Sequence, residues 1–182
     1  MNIPLLKFFE VELWIVESLL EFLEELKINL PKNPYIDETA FSNLDDSYAT
    51  DNLLDTDFSK VDIFTKFFLS KASELLNLPE KNISLFWFHF LDYGSGGEMG
   101  FHNHAFNEDF VMFVYLSTCE DGETKWQLNN HNKESKERTS LSCLPKKGRG
   151  AIFSALLDHG GAANKRGDKK ICVVGLKVNL NE

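Results

Sequence analysis

Apolar and polar residues recur along this chain with two different periods. Between residues 11 and 27, Leu13, Val16, Leu20 and Leu23 fall at helical spacing with Glu17, Glu21 and Glu24 on the other side, which predicts an amphipathic helix laid on something larger. A second helix is predicted over 59–76 (SKVDIFTKFFLSKASELL), with Val61, Phe64, Phe68, Ala72 and Leu75 on its buried face. Ser59 is its expected N-cap, and Asn77 followed by Pro79 ends it. Ahead of the first helix, PLLKFFE (4–10) suits a short strand. Residues 31–57, rich in Asp, Asn and Pro, read as loop with at most a short strand near Tyr48.

After Asn82 the period changes. ISLFWFHFLDY is a continuous aromatic and β-branched run closed by GSGG, as expected of a strand buried on both faces. FVMFVYLS (110–117), SLSCLP (140–145), GAIFSAL (150–156) and KICVVGLKVNL (170–180) are further strands, with turns at CEDGET, PKKGRG and NKRGDK. Helices first and closely spaced strands afterwards predict an α+β chain of mainly β character. Its core is an antiparallel sandwich or barrel flanked by two N-terminal helices. The 182 residues, 43% hydrophobic with sixteen Phe, suffice for one domain, its helical flank and loop over 1–80 and its strand core over 81–182.

Charge and cysteine content narrow the setting. Three cysteines, Cys119, Cys143 and Cys172, are few and widely spaced; they suggest neither a disulfide framework nor a structural zinc site, and a reducing cytoplasm is expected. The apolar N-terminus is interrupted by glutamates, so no membrane helix is expected. The net charge of −9 argues against nucleic-acid binding. Up to residue 124 there are seven Lys/Arg against twenty-three Asp/Glu, and beyond it twelve against five. Most of that basic excess suits a solvated hairpin around HNKESKER, but it could also supply a positive field for an anionic ligand.

Chemistry concentrates in YGSGGEMGFHNH. On a strand, His102 and His104 would point to one face with Cα atoms about 6.5 Å apart. An HxH pair is common by chance and needs a further ligand. His159, beside two glycines in FSALLDHGG, is the best candidate. Three neutral imidazoles facing one point suit Fe(II), Zn or Cu.

From Tyr93 to Val178 the chain resembles the iron(II)- and 2-oxoglutarate-dependent oxygenases, in particular their prolyl 4-hydroxylase-like branch. YGSGGEMGFHNH resembles that branch's tyrosine–glycine turn before the first metal histidine. FVYLSTCEDGETKW resembles its tyrosine–leucine strand and Gly-Glu-Thr-aromatic element. LPKKGRGAIF resembles the proline–glycine turn leading to a strand that ends in Phe, and HGGAANKRGDKK the distal metal histidine with its later glycine and lysine. The resemblance implies a double-stranded β-helix (jelly roll) and a hydroxylase using Fe(II), 2-oxoglutarate and O2 on a small-molecule or peptide substrate. His102 and His159 would hold iron. Lys169, or Lys170 if the register slips, would pair with the distal carboxylate of 2-oxoglutarate, and Tyr115 would hydrogen-bond it. A dianion in a half-buried barrel needs such a counter-charge.

Position 104 departs from the pattern, because the family's carboxylate ligand stands two residues after its first histidine. Three readings are open: His104 itself completes an all-histidine site, Glu108 or Asp109 supplies the oxygen ligand, or the site is altered; strand alternation favours His104. Gly96, His102, His104 and Glu108 also resemble the first motif of the cupins, which would make Glu108 a ligand in a metal-binding protein without 2-oxoglutarate chemistry. His89 could line the pocket, together with residues of the 31–57 loop and the strand around Trp87, whereas His131 suits a surface turn.

Overall fold

The structure, a computed structural model, describes residues 5–30, 41–42, 47–94, 96–104, 107–128 and 139–179. His131, the HNKESKER segment and most of the 31–46 loop lie outside the described residues.

Two antiparallel sheets form the body. The larger contains β1 (Leu6–Glu10), β3 (Tyr48–Ala49), β4 (Ile83–Asp92), β6 (Phe110–Tyr115), β9 (Arg149–Ser154) and β11 (Lys170–Val178), in the order β1-β9-β6-β11-β4-β3. The smaller contains β2 (Phe41–Ser42), β5 (Glu98–His102), β7 (Thr124–Leu128), β8 (Thr139–Cys143) and β10 (Asp158–Gly161), in the order β2-β5-β10-β7-β8. From β4 onward the chain crosses repeatedly between the sheets, so strands adjacent in sequence, β7 and β8 apart, lie in opposite sheets.

Alternation explains why the central strands read as unbroken apolar runs. Phe88 and Phe90 of β4, Met112 and Val114 of β6, and Cys172 and Val174 of β11 point away from the smaller sheet into a core shared with the helices. Their neighbours Leu91, Val111, Phe113, Tyr115 and Ile171 point between the sheets. Each strand is therefore apolar on both sides for two different reasons.

Helices α1 (Leu13–Asn29) and α2 (Ser59–Leu76) cover the outer side of the larger sheet. In α2 the expected Val61, Phe64, Phe68 and Ala72 are buried, and Asn77 closes the helix in the left-handed conformation at φ 55°. Ser59 is not the cap; Phe58 holds that position without a side-chain bond. In α1 the buried stripe is Val16, Leu19, Phe22, Leu23 and Leu26, whereas Leu13 is exposed. The apolar side of α1 is broad enough for two phases, and the volume of Phe22 selects this one. Its ring meets Phe58, Phe64 and Phe90 at centroid distances of 5.8, 5.7 and 5.7 Å, tying both helices to β4. Among the described residues no helix is long and apolar enough to cross a membrane.

Strand β1 is an edge of the larger sheet, with Phe9 opposite Gly150 of β9, and so joins the sheet that the later strands build. The strands without an apolar run, β5, β7 and β10, are short, polar or glycine-containing, and gain their conformation from their neighbours. The cysteines of β8, β11 and the turn after β6 are free thiols.

Truncating Phe22 removes the ring common to α1, α2 and β4. Phe22→Ala should lower unfolding stability by about 3–5 kcal/mol, read as a lower midpoint in urea denaturation with an unchanged slope.

Candidate metal centre

The three histidines come together at one end of the interior. His102 is the last residue of β5 and lies directly opposite His159 of β10 in the antiparallel register. His104 lies just beyond the strand, its backbone N–H bonded to the Ala155 carbonyl at 3.0 Å. It reaches the cluster through that anchored turn rather than through strand alternation. The ring centroids are 4.4 Å apart for His102–His159, 5.0 Å for His102–His104 and 5.3 Å for His104–His159. One nitrogen from each ring lies within 4.8 Å of the other two.

Hydrogen bonding sets which nitrogen each ring offers. His102 Nδ1 is 3.0 Å from the Gly100 carbonyl, and His159 Nδ1 is 3.0 Å from the Leu157 carbonyl. A carbonyl only accepts, so each Nδ1 carries the proton and each Nε2 keeps a lone pair for a ligand. Burial, reinforced by neighbouring imidazoles, pushes His104 down to about 4 and His159 down to about 3. His104 and His159 are therefore neutral at physiological pH, the protonation state that metal coordination requires.

The carboxylates stand elsewhere. Asp109 is not brought to the cluster, because its Oδ2 accepts the Val178 backbone N–H at 2.8 Å at the end of β11. Glu108 stays out of the three-donor group and sits behind His104, with Oε1 3.5 Å from His104 Nδ1 and bonded to the Trp87 indole N–H. Neither oxygen-ligand alternative matches this arrangement.

A cavity of about 350 Å³ opens onto the histidines and runs between the sheets, past Trp87, His89, Phe113 and Phe153 to Tyr93, Thr124, Gly161 and Ile171. His89 lines it as expected, held by Nδ1 to the Thr50 carbonyl at 3.1 Å. Against Tyr93 and Gly161 of this wall lies Lys169, which is fully buried. Its ammonium sits 4.5 Å from the centre of the Tyr93 ring and has no hydrogen-bond partner among the described residues. Burial pushes its pKa down to about 8. A Cβ on Gly161 would come within 2.9 Å of Lys169 Nζ, so glycine there lets the ammonium lie against the cavity wall.

Lys170 is placed outside the cavity. Successive residues of a strand face opposite ways, and its Nζ turns outward, 3.8 Å from Asp92 and 3.9 Å from Glu24 of α1. Tyr115 is displaced from its expected place. Its hydroxyl is used within the protein, 2.6 Å from Thr124 Oγ1 and 3.2 Å from the Cys143 carbonyl, and it is Thr124 that faces the cavity. Thr124 follows the CEDGE turn in the Gly-Glu-Thr element, the one feature of the sequence that could have pointed to it. Asn164 was also not anticipated; its Nδ2 ties the Gly94 and Gly167 carbonyls together and holds the loops on either side of Lys169.

Comparison with known proteins agrees with this architecture. No family model matches the chain, and no curated protein matches it in sequence. Solved structures do match. A Pseudomonas putida prolyl 4-hydroxylase superposes with a TM-score of 0.67 over 94% of this chain and 92% of that one, at 15% identity. The non-heme α-ketoglutarate-dependent carbocyclase SnoK of nogalamycin biosynthesis gives 0.73 over 97% and 83%, at 8% identity. HygX from Streptomyces hygroscopicus, solved with nickel and 2-oxoglutarate bound, gives 0.68 over 96% and 83%, at 14% identity. The fold is a double-stranded β-helix. In it β4, β11, β6 and β9 form one wall, β5, β10, β7 and β8 the other, and the three histidines stand at the end of the smaller wall.

The depressed histidines tie stability to pH. Their folded pKa values lie below the ordinary 6.5, so the unfolded chain binds more protons as pH falls. Stability should be full above about pH 6.5 and decline progressively toward the folded values near 4 and 3. Chemical denaturation of the metal-free protein at stepped pH should show this slope, and His159→Gln should flatten it.

Proposed function

We propose that the protein is an Fe(II)- and 2-oxoglutarate-dependent oxygenase, acting as a hydroxylase, with His102, His104 and His159 holding the metal. The observation that carries this reading is Lys169, a buried ammonium without a hydrogen-bond partner among the described residues, set against Tyr93 and Gly161 in the wall of the cavity that the three imidazoles also line. A buried unpaired cation is costly, and its position calls for an anion in the cavity. A site that accepts a divalent cation at one end and a carboxylate at the other suits a chelating keto acid whose distal carboxylate reaches the lysine. The fold neighbours named above include proteins described as using that cosubstrate.

When bound, Fe(II), 2-oxoglutarate and O2 supply oxidative decarboxylation coupled to oxidation of a C–H bond. The residues of this chain provide binding, orientation and exclusion of water. His102 and His159 present Nε2 because backbone carbonyls hold their Nδ1 protons. Lys169 fixes the distal carboxylate, with the Thr124 hydroxyl beside it on the cavity wall and Tyr115 holding Thr124. Phe113, Phe153 and Trp87 keep the space between the two ends dry, which strengthens each charged contact. His89, Leu91 and Val173 line the wall open to a small-molecule or peptide substrate.

The test is anaerobic addition of Fe(II) and 2-oxoglutarate, followed by air. A visible metal-to-ligand absorption band and then succinate are expected; neither appearing would overturn the reading. Lys169→Met should weaken 2-oxoglutarate binding roughly 10–100-fold, the worth of a charge-assisted hydrogen bond, while Fe(II) binding stays within about twofold.

A further inference from the structure

Glu108 is a buried carboxylate that the reading above leaves unused. It is 6% exposed, and its Oε2 has no hydrogen-bond partner among the described residues. Its Oε1 accepts the Trp87 indole N–H and faces His104 Nδ1 at 3.5 Å. No Lys or Arg pairs with it among the described residues. Burying a carboxylate on these terms costs free energy, so its retention calls for a partner that the protein alone does not provide.

Three separate elements are shaped around it. In the turn after β5, the backbone N–H groups of Asn107 and Glu108 both point to the His104 carbonyl, at 3.2 and 3.4 Å, which brings residue 108 back beside the residue 104 ring. Strand β4 contributes Trp87, whose indole anchors Oε1 and stands 5.5 Å from the His104 ring centroid. Strand β11 contributes Gly175, at a bulge in its pairing with β4. A Cβ there would meet the Trp87 indole at 2.4 Å and Glu108 Cγ at 2.8 Å, so only glycine leaves room for the pair. A fortuitous surface carboxylate would have none of this support.

We propose that Glu108 is a positioning residue for the metal centre, acting through His104. Its carboxylate holds the His104 ring with Nδ1–H turned toward Oε1 and Nε2 toward the other two histidines. Through the imidazole it also supplies the negative charge that no ligand of the cluster carries directly. This inference rests on the histidine cluster being an Fe(II) site. A carboxylate behind a metal-bound imidazole fixes its tautomer and raises its basicity, and removing one lowers metal affinity roughly 10–100-fold.

A double-mutant cycle on Fe(II) affinity, measured anaerobically by competition with a chromophoric chelator, tests it. Glu108→Gln should weaken Fe(II) binding roughly 10–100-fold without lowering the melting temperature of the metal-free protein. Glu108→Asp, which keeps the charge but withdraws it by one methylene, should give a smaller loss and serves if the glutamine variant folds poorly. In a His104→Ala background, Glu108→Gln should change affinity by less than about twofold, because its route to the metal is gone. Equal losses in both backgrounds would overturn the inference and make Glu108 an independent contributor. Unchanged affinity in Glu108→Gln would overturn it as well. A wild-type protein that binds no Fe(II) would instead overturn the underlying metal reading.

Discussion

His102 at the end of β5 lies across an antiparallel pair from His159 of β10, and the site depends on that register. A slip of one residue would turn one imidazole to the outside of the smaller sheet. The two strands are too short and too polar to hold themselves in place. Their register comes from β7 on the far side of β10, where His159 lies opposite the fully buried Trp126. Trp126 packs on Phe113 and Phe153 at centroid distances of 6.2 and 5.7 Å, so the aromatic interior of the β-helix aligns the strand that carries His159.

The electrostatics follow from the same enclosure. The cavity is lined by His104 and His159, which burial keeps neutral, and its wall at Tyr93 and Gly161 packs on an ammonium that burial has shifted down to about 8. Neither arrangement stabilises the protein by itself. Both are local costs that the proposed cation and dianion would offset. The ion network of Glu24, Lys27, Asp92 and Lys170 shows the contrast, with opposite charges meeting within the protein at distances from 2.7 to 3.9 Å. A lysine needed only for stability looks like Lys170, whereas Lys169 does not.

Much of this was legible in the sequence, for identifiable reasons. Both helices and the long strands of the larger sheet announce themselves because their periodicity is carried by large apolar side chains. The three histidines and Lys169 were legible through their order along the chain and the glycines beside them. Strands β5, β7 and β10 were not, because EMGFH, TKWQL and DHGG owe their conformation to neighbours that only the tertiary structure supplies. The phase of α1 was misplaced by the same ambiguity, a broad apolar side decided by the packing of Phe22. The adjacent pairs Glu108–Asp109 and Lys169–Lys170 are separable only in three dimensions, where the members of each pair meet different partners. The Tyr115 hydroxyl turns to Thr124 and the Cys143 carbonyl, and it is Thr124 that lines the cavity, a placement only the tertiary structure shows.

The central claim is that three imidazoles, with no carboxylate from the chain, form the metal centre. X-ray absorption at the iron edge of the anaerobic Fe(II) protein tests it most directly. Three imidazoles should appear as nitrogen scatterers at roughly 2.0–2.1 Å, close to other metal–imidazole bonds, with the outer-shell pattern of their rings. His104→Ala should remove one of the three. Two imidazoles in the wild type, unaltered by His104→Ala, would contradict the account.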